Sequence, residues 1–267
     1  MKKLSRILIV VICVAVLLSL ASCAGGFLSK AKVKSLVKEY GTPQAEVTFD
    51  YTYNNTKTKI VFVYDLLLDK TPVAVTNFIQ LAESGYFDDV IIDHYVSMYQ
   101  YLRFGEYVYR ADEDDSNVMK YYRNNTVPSI VGEFAVNKYS EPKSGYAKFE
   151  NLSLAMYHAE GTNYYNSAAG SVIMAMRTDA LNYTNYAVFA HINSISVSLK
   201  DGDLKNYGKN IPSTYREQLT TTNTTSRTVY SADGTTSDKE SLYSTNITVS
   251  VKILGDHDWS KLPKVTR

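Results

Sequence analysis

Apolar residues that recur at every second position are the feature that most limits what this chain can fold into. Two segments carry this pattern: Val47, Phe49, Tyr51 and Tyr53 near the start, and Ile247, Val249, Val251 and Ile253 near the end. Such alternation is typical of a strand with one buried face and one wet face. We therefore predict a β fold whose last strand closes the sheet.

Between these two segments the sequence predicts more strands and one amphipathic helix. After the turn Asn54-Asn55, residues 58–68 form a second strand that completes a hairpin. The helix follows Thr71-Pro72, and Gly85 ends it. The remaining predicted strands cover residues 90–96, 98–104, 129–136, 152–156, 171–176 and 186–192. Many strands with one or two helices indicate a barrel or a sandwich.

Two segments lack any strand or helix pattern. Residues 107–125 are polar and rich in tyrosine, and residues 220–245 are rich in Ser, Thr and Asn. We predict a loop insertion for the first segment, and a loop or a disordered stretch for the second.

Composition excludes several function classes. Of the 267 residues 45% are hydrophobic and 21% charged, and the net charge of +1 gives no basic excess, so we expect no nucleic-acid partner. Both cysteines precede residue 24, which excludes a disulfide scaffold and a Cys-based zinc site. The acidic run 112–115 lacks the spacing of a calcium loop, and adjacent residues in Asp256-His257-Asp258 point to opposite faces of a strand. We predict no metal and no cofactor.

The first 22 residues have the pattern of an export signal. Three cations precede an apolar run over residues 7–18, which is too short for a comfortable membrane span. The run ends in Leu20-Ala21-Ser22-Cys23, which resembles the bacterial lipobox. That resemblance implies that Cys23 is lipidated and becomes the mature N-terminus; a plain signal peptide is the alternative. We predict an extracytoplasmic protein, lipid-anchored to the bacterial cell membrane, with a mature net charge of −2 because three cations leave with the signal.

Residues 27–44 contain four lysines around Val33, Leu36 and Val37, and Gly41-Thr42-Pro43 follows them. This stretch is either a short amphipathic helix that contacts lipid head groups or, as we favour, a solvated tether. The predicted organisation is a signal over 1–22, a lipidated Cys and tether over 23–44, a folded domain over 45–255 and a tail over 256–267.

A series of motifs runs in order from residue 59 to residue 192. In the helix it reads Pro72, Val75, Asn77, Phe78, Leu81, Ala82, Gly85, Tyr86 and Phe87. It continues with His94-Tyr95-Val96, Gln100 to Glu106, Ile130 to Phe134, Leu152 to Met156, Asn166 to Gly170 and Tyr186 to Ala190. As a set these motifs resemble the cyclophilin-type peptidyl-prolyl isomerases. The resemblance implies a mainly β, cyclophilin-like fold: an eight-stranded antiparallel β-barrel capped by two helices, with residues 107–125 and 220–245 as insertions.

The same resemblance implies a site for prolyl isomerisation. A catalyst lowers the barrier of ~20 kcal/mol by binding the twisted amide better than the planar one. In the family, an arginine stabilises the prolyl nitrogen, a glutamine lies beside it and an apolar pocket holds the ring. Here Tyr95 stands in place of that arginine and Arg103 in place of the glutamine, and these two are the candidate catalytic residues. The Tyr95 hydroxyl can donate a hydrogen bond but brings no charge. The other residues that the resemblance assigns to the substrate groove are His94, Gln100, Tyr101, Ala155, Ser171, Val172 and Tyr186. The positions of Ser171 and Val172 carry a doubt of one residue in register.

Two functions remain open from the sequence. In the first, the protein is a weakened isomerase for X-Pro bonds of exported proteins, with Arg103 supplying the guanidinium from the strand next to Tyr95. In the second, the site is inactive and the protein binds proline-containing peptides or exported proteins; Arg103 is then a surface charge paired with Glu106 or another acid. A solute-binding lipoprotein fits the lipobox but not the size, and two α/β lobes are absent from the pattern.

Overall fold

The structure is a computed structural model that describes residues 26–112, 116–159, 161–220, 224–243 and 246–266. The predicted signal, Cys23 and three residues of the acidic run lie outside the described residues. Within the described part of the chain, no helix has the length and apolar character needed to cross a bilayer.

The described residues form twelve strands and three α-helices. The strands are β1 (Gln44–Tyr53), β2 (Thr56–Leu66), β3 (Val90–Val96), β4 (Tyr101–Ala111), β5 (Met119–Arg123), β6 (Leu154–Met156), β7 (Val172–Ala175), β8 (Val188–Leu199), β9 (Lys205–Asn206), β10 (Thr224–Tyr230), β11 (Ser237–Tyr243) and β12 (Thr248–Leu254). The helices are α1 (Lys30–Tyr40), α2 (Pro72–Glu83) and α3 (Ser213–Leu219).

Eight of these strands pair in a closed cycle, which we call the ring. Its order is β4-β3-β12-β1-β2-β8-β6-β7, and the pairing of β7 with β4 closes it. Every pair in the ring is antiparallel. The mainly β fold that the sequence predicts is thus confirmed, and the last strand, β12, closes the sheet between β1 and β3.

The main core is aromatic and aliphatic. Phe49 of β1 lies 5.0 Å from Phe62 of β2 and 6.2 Å from Phe104 of β4 between ring centroids. On α2, Phe78 lies 4.9 Å from Phe189 of β8, which fixes this helix against the ring. The alternation read in the sequence explains this arrangement, because every second residue of β1 from Ala45 to Tyr51 is buried.

The N-terminus of α2 is held by Glu133, which lies in residues 129–136. The prediction of a strand for these residues is wrong. Residues 129–136 do not form a strand: Ile130 makes one bridge to Ala168, and a 3₁₀ turn follows. Glu133 is instead buried, and its Oε2 accepts hydrogen bonds from the backbone N–H groups of Val73 and Ala74 at 2.8 and 3.0 Å. The segment turns away from the sheet because Glu133 satisfies donors that a helix start leaves open.

Both ends of the described chain pack on the ring. Helix α1 buries Leu36 and Tyr40, and the Tyr40 ring stacks on Trp259 at 5.2 Å. Trp259 lies in a 3₁₀ turn of the C-terminal stretch, where Leu262 is also buried. Residues assigned to the tether and to the tail therefore take part in the core, and the described chain has three helices where the resemblance implies two.

The predictions of a loop over 107–125 and of a loop or disorder over 220–245 are wrong for the described residues. The first segment continues β4 and forms β5, and the second forms the β10–β11 hairpin. Strand β10 then pairs with β5 in parallel, Val229 opposite Tyr121. We call β5, β10 and β11 the extension. Tyrosine and threonine suit strands, but the partner strands are far apart in sequence, so the composition of each segment by itself indicates a loop.

Candidate functional site

The residues predicted to act together, Tyr95 and Arg103, lie on opposite faces of the β3–β4 pair. Tyr95 lies opposite Leu102, and Arg103 lies opposite His94. Because side chains alternate along a strand, Tyr95 shares the inner face with the buried Leu102 and packs against the main core. Arg103 lies on the outer face, with its guanidinium carbon 4.9 Å from the centre of the Tyr157 ring. The expectation that both residues face one groove is wrong.

Arg103 is enclosed by two carboxylates. Its Nε donates to Asp93 Oδ1 at 2.7 Å, and its Nη2 lies 2.9 Å from Glu106 Oε2. The Arg103 side chain is 13% exposed and that of Asp93 is 0% exposed. Burial alone disfavours the charged guanidinium, but the attraction of Asp93 and Glu106 outweighs it and raises the pKa of Arg103. The arginine therefore stays charged within a buried ion cluster.

A β-bulge brings the acid to the arginine. The pairs Ile92–Phe104 and His94–Arg103 leave Asp93 as an extra residue on β3, so Asp93 and His94 both lie beside Arg103. His94 Nδ1 is 3.3 Å from Asp93 Oδ1 and 3.2 Å from Arg103 Nη2. Asp93 is not among the residues that the sequence motifs assign to the site. The available signal was an acid at the end of the apolar run Val90-Ile91-Ile92, where a buried charge needs a partner.

Two residues predicted for the substrate groove lie in the interior. Val172 is buried in the main core, opposite Phe104, and its neighbour Ile173 faces outward opposite Arg103. The doubt in register is thereby resolved in favour of Ile173 as the outward residue. Ala155 is on the outer face but is also fully buried. The predictions of Ala155 and Val172 as groove residues are therefore wrong.

The outer face of β6 and β7 is covered by the chain itself. Phe149 and Ala147, which precede β6, are buried together with Ala155, Ile173 and Val188 in a second apolar cluster. Half-buried aromatic rings border this cluster, namely Tyr101, Tyr157, Tyr183 and Tyr186. The apolar surface that the resemblance assigns to a proline ring is thus occupied by Phe149 and its neighbours.

The two remaining predicted residues, Gln100 and Ser171, are both half-buried. Gln100 lies in the β3–β4 turn with φ of 50°, and its carbonyl accepts a hydrogen bond from the Met176 N–H at 2.7 Å. Ser171 is half-buried, and its carbonyl accepts from the Tyr157 N–H at 3.0 Å. Ser171 also lines an open cavity, whereas the hydrogen bond from Met176 to Gln100 fixes the turn.

That cavity belongs to a groove between the ring and the extension, which we call the junction groove. It consists of two adjoining cavities of about 520 and 350 Å³. The first has Glu106, Tyr157 and Ser171 on its wall, and the second has Asp88 and Arg110. The two cavities share the residues Tyr86, Arg123, Asn124, Asn125, Val127 and Ala232. No motif in the sequence indicates this groove, because its far wall consists of residues from the segments 107–125 and 220–245, for which composition predicts loops.

The floor of the junction groove is fixed by close packing. Tyr86 Oη donates to the Gly105 carbonyl at 2.9 Å, and Asn124 Nδ2 donates to the Tyr86 and Gly105 carbonyls at 3.0 and 3.2 Å. A Cβ on Gly170 would lie 2.2 Å from Tyr86 Oη, so only glycine fits there. Burial raises the pKa of Tyr86 to about 12, so its hydroxyl remains a donor at neutral pH. The groove is therefore preformed.

Among the described residues, no group of three or more His, Cys, Asp or Glu side chains is placed to bind a metal ion. The walls of the groove carry tyrosine hydroxyls, amides and the charges of Asp88, Glu106, Arg110 and Arg123.

No protein-family model and no curated protein matches this chain. Among solved structures, it is similar to a cyclophilin type peptidyl-prolyl cis-trans isomerase of Cryptosporidium parvum, with a TM-score of 0.41 and 12% identity over 81% of this chain and 99% of that one. A second crystal structure of that isomerase, obtained in the presence of the dipeptide Ala-Pro, gives a TM-score of 0.39 and 12% identity over 79% and 99% of the two chains.

Proposed function

We propose that this protein is a lipid-anchored, extracytoplasmic binding protein with a cyclophilin-like fold, which holds segments of exported proteins in the junction groove and does not catalyse prolyl isomerisation efficiently. The observation that carries this proposal is the enclosure of Arg103 by Asp93 and Glu106.

Catalysis of prolyl rotation needs a donor aimed at the nitrogen that gains a lone pair. The Arg103 cluster contains one guanidinium and two carboxylates, so with both acids ionised it carries a net charge of −1. An anionic cluster repels a developing lone pair, and freeing Arg103 would leave the buried Asp93 unpaired at a cost of about 3–5 kcal/mol. Tyr95 offers no replacement, because it packs against the main core.

The apolar contact for a proline ring is absent as well. Phe149 covers the outer face of β6 and β7, so a bound prolyl ring would have to displace it from a fully buried position. Displacing a buried aromatic side chain costs several kcal/mol. Catalysis would require that binding of the twisted amide offset this free energy in addition to stabilising the transition state.

The junction groove suits a polypeptide better than the Arg103 cluster does. Its wall combines the rings of Tyr86 and Tyr157 with the polar side chains of Asn125, Thr126 and Ser171. Aromatic rings give contact area at low entropic cost, and the polar groups can bond to a backbone. Because the floor is preformed, binding loses little free energy to reorganisation.

The lipobox-like sequence before Cys23 supports the location. A protein anchored outside the cytoplasm meets exported proteins while they are still unfolded, and these offer the exposed backbone that the groove can bind. We therefore propose exported proteins that are still unfolded as the partners.

The test is a protease-coupled proline-peptide assay on the detergent-purified full chain, with Arg103→Ala and Arg103→Lys beside it. We expect all three proteins to give the uncatalysed rate. Turnover above that rate in the unmodified protein, lost in Arg103→Ala and partly kept in Arg103→Lys, would instead establish the isomerase.

Binding is tested separately with fluorescent peptides, with and without proline, by anisotropy. Ala232→Trp narrows the junction groove and is expected to weaken binding at least tenfold. Thr236→Trp is the matched control, since Thr236 lies exposed on the same turn and bonds through its backbone. Equal binding by both variants would exclude the groove.

A further inference from the structure

Helix α1 presents a row of lysines. Lys30, Lys34 and Lys38 are spaced four residues apart, so they form one exposed stripe along the helix. In the part of the chain that the structure describes, none of the three makes an ion pair. Like charges at this spacing destabilise a helix, yet Leu36 and Tyr40 on another face are buried and hold α1 in place. The stripe is therefore a fixed feature of the surface and not part of a mobile tether.

Positive charge is concentrated in this helix. With four lysines and one glutamate, α1 carries a net charge of +3, and the rest of the mature chain, whose total is −2, carries −5. A basic element on an acidic protein points to an anionic partner.

An apolar cleft opens beside the stripe. It has a volume of about 850 Å³ and lies between α1 and residues 139–144. Phe27 stands at this cleft with 40% of its surface exposed, and its ring centroid is 5.0 Å from that of Tyr139. On the opposite lip Lys143 lies among the acids Asp69 and Glu141, so the excess of positive charge is on the α1 side of the cleft. Exposed aromatic surface next to lysines is typical of elements that lie in a membrane interface.

The short distance in sequence between Phe27 and Cys23 indicates which anionic partner this surface meets. Phe27 follows Cys23 by four residues, which span at most about 14 Å when fully extended. If Cys23 carries lipid, this surface lies next to the bilayer without any further folding.

We propose that Phe27, Lys30, Lys34, Lys38 and Lys143 form a docking face that lies flat on an anionic lipid bilayer, with the lysines at the phosphates and Phe27 at the headgroup boundary. This rests on the lipid anchor of the proposed function. Docking supplies the second membrane signal beside the acyl chains, and it holds the ring in one orientation instead of letting it swing on a tether.

The test places a fluorophore on Ala31→Cys, next to the stripe, in the full chain reconstituted in vesicles that contain a headgroup-quencher lipid. A fluorophore on Ser237→Cys of β11 is the reference. In vesicles with phosphatidylglycerol we expect quenching at position 31 to exceed that at 237 at least threefold, and to fall at high salt or with phosphatidylcholine alone. Equal quenching at both positions, or no dependence on anionic lipid, would overturn the docking face.

Charge variants complete the test. Lys30→Gln, Lys34→Gln and Lys38→Gln together are expected to abolish the excess quenching, since each lysine near an anionic surface contributes about 1 kcal/mol, or about 100-fold for the three. The control removes the same charge at three exposed lysines elsewhere, Lys200, Lys209 and Lys252. Co-flotation with phosphatidylcholine vesicles tests the lipid anchor separately, because a chain without the anchor does not float with them. For such a chain, quenching at position 31 by added phosphatidylglycerol vesicles still tests the docking face. The peptide-binding assays test the junction groove in either case.

Discussion

The ring and the extension are both β structures, but different interactions hold them together. The ring encloses a large apolar core in which aromatic rings pack on one another. The extension shares a smaller cluster with the ring: Tyr121, Val229 and Leu242 pack with Ile91 of β3 and Tyr107 of β4, while Tyr122 and Tyr243 reach the main core. The comparison teaches that the strands of the extension form with little apolar burial of their own.

Polar bonds complete the extension. Tyr107 Oη donates to Glu240 at 2.5 Å, Arg123 pairs with the same carboxylate, and Tyr121 Oη donates to Asn246 at 2.7 Å. The Glu240 carboxylate raises the pKa of Tyr107, in addition to the larger effect of burial, and so keeps this hydroxyl a donor. We therefore expect the ring to respond most to loss of apolar volume and the extension to loss of single polar groups.

The largest effect is expected from Phe104→Ala in the ring. Phe104 is fully buried, with ring centroids of Phe49 and Phe87 both at 6.2 Å, so its removal leaves a cavity. The free energy of unfolding should fall by about 3–5 kcal/mol, measured by urea denaturation. A loss below about 1 kcal/mol would contradict the expected difference between ring and extension, because the stability of the ring would then not depend on its apolar core.

The second largest effect is expected in the pH dependence of the free energy of unfolding, and it arises from Glu133 at the N-terminus of α2. Burial raises the pKa of Glu133 to about 8 from its ordinary value of 4.5, although the N–H groups of Val73 and Ala74 act in the opposite direction. The folded state thus keeps a proton that the unfolded state releases. The stability from this group is complete below about pH 4.5 and is lost as the pH rises towards 8, with a slope of at most about 1.4 kcal/mol per pH unit.

Urea midpoints at pH 5, 6.5 and 8 check this expectation. Glu133→Gln mimics the protonated acid and should flatten the profile, whereas Glu83→Gln, the same change at the exposed C-terminal end of α2, should follow the unmodified protein. Parallel profiles for Glu133→Gln and the unmodified protein would show that other groups set the pH dependence.

A smaller and local effect is expected from Glu240→Ala in the extension. The change leaves Tyr107 Oη and Arg123 without a shared acceptor, at a cost of about 1–3 kcal/mol. Amide exchange in β10 and β11 should accelerate, while the urea midpoint of the ring moves little. Asp238→Ala on the same strand serves as the control. If the ring midpoint falls as far as it does for Phe104→Ala, the two regions unfold as one unit.

The smallest effect concerns the exposed turn between β10 and β11. Hydrogen bonds from the Ser231 hydroxyl and from Thr235 lower the pKa of Asp233 from 3.8 to about 2. Between about pH 2 and pH 4, Asp233 is therefore ionised in the folded state, whereas in the unfolded state it is still largely protonated. The stabilisation is therefore present above about pH 4 and is lost as the pH falls towards 2, opposite in sign to Glu133. The Thr235 amide shift in NMR spectra should titrate in this range, and Asp233→Asn should remove that step.

Local patterns account for much of the ring. The alternation in β1 and β12, the Thr71-Pro72 start of α2 and its end near Gly85 are all visible in the sequence, because they depend on neighbours within a few residues. The extension had no such signal. Its polar strands become regular only when residue 121 meets residue 229.

For the candidate site, the sequence determined which residues are available, but only the tertiary structure decided what they can do. The order of the motifs places Arg103 and Tyr95 on neighbouring strands, and the resemblance to the cyclophilin-type isomerases indicates that Tyr95 stands where an arginine is expected. The bulge at Asp93 set Arg103 between two acids and left Tyr95 on the other face. The physical reason is that the face and the partners of a side chain depend on pairing and register between distant segments, which no local pattern encodes.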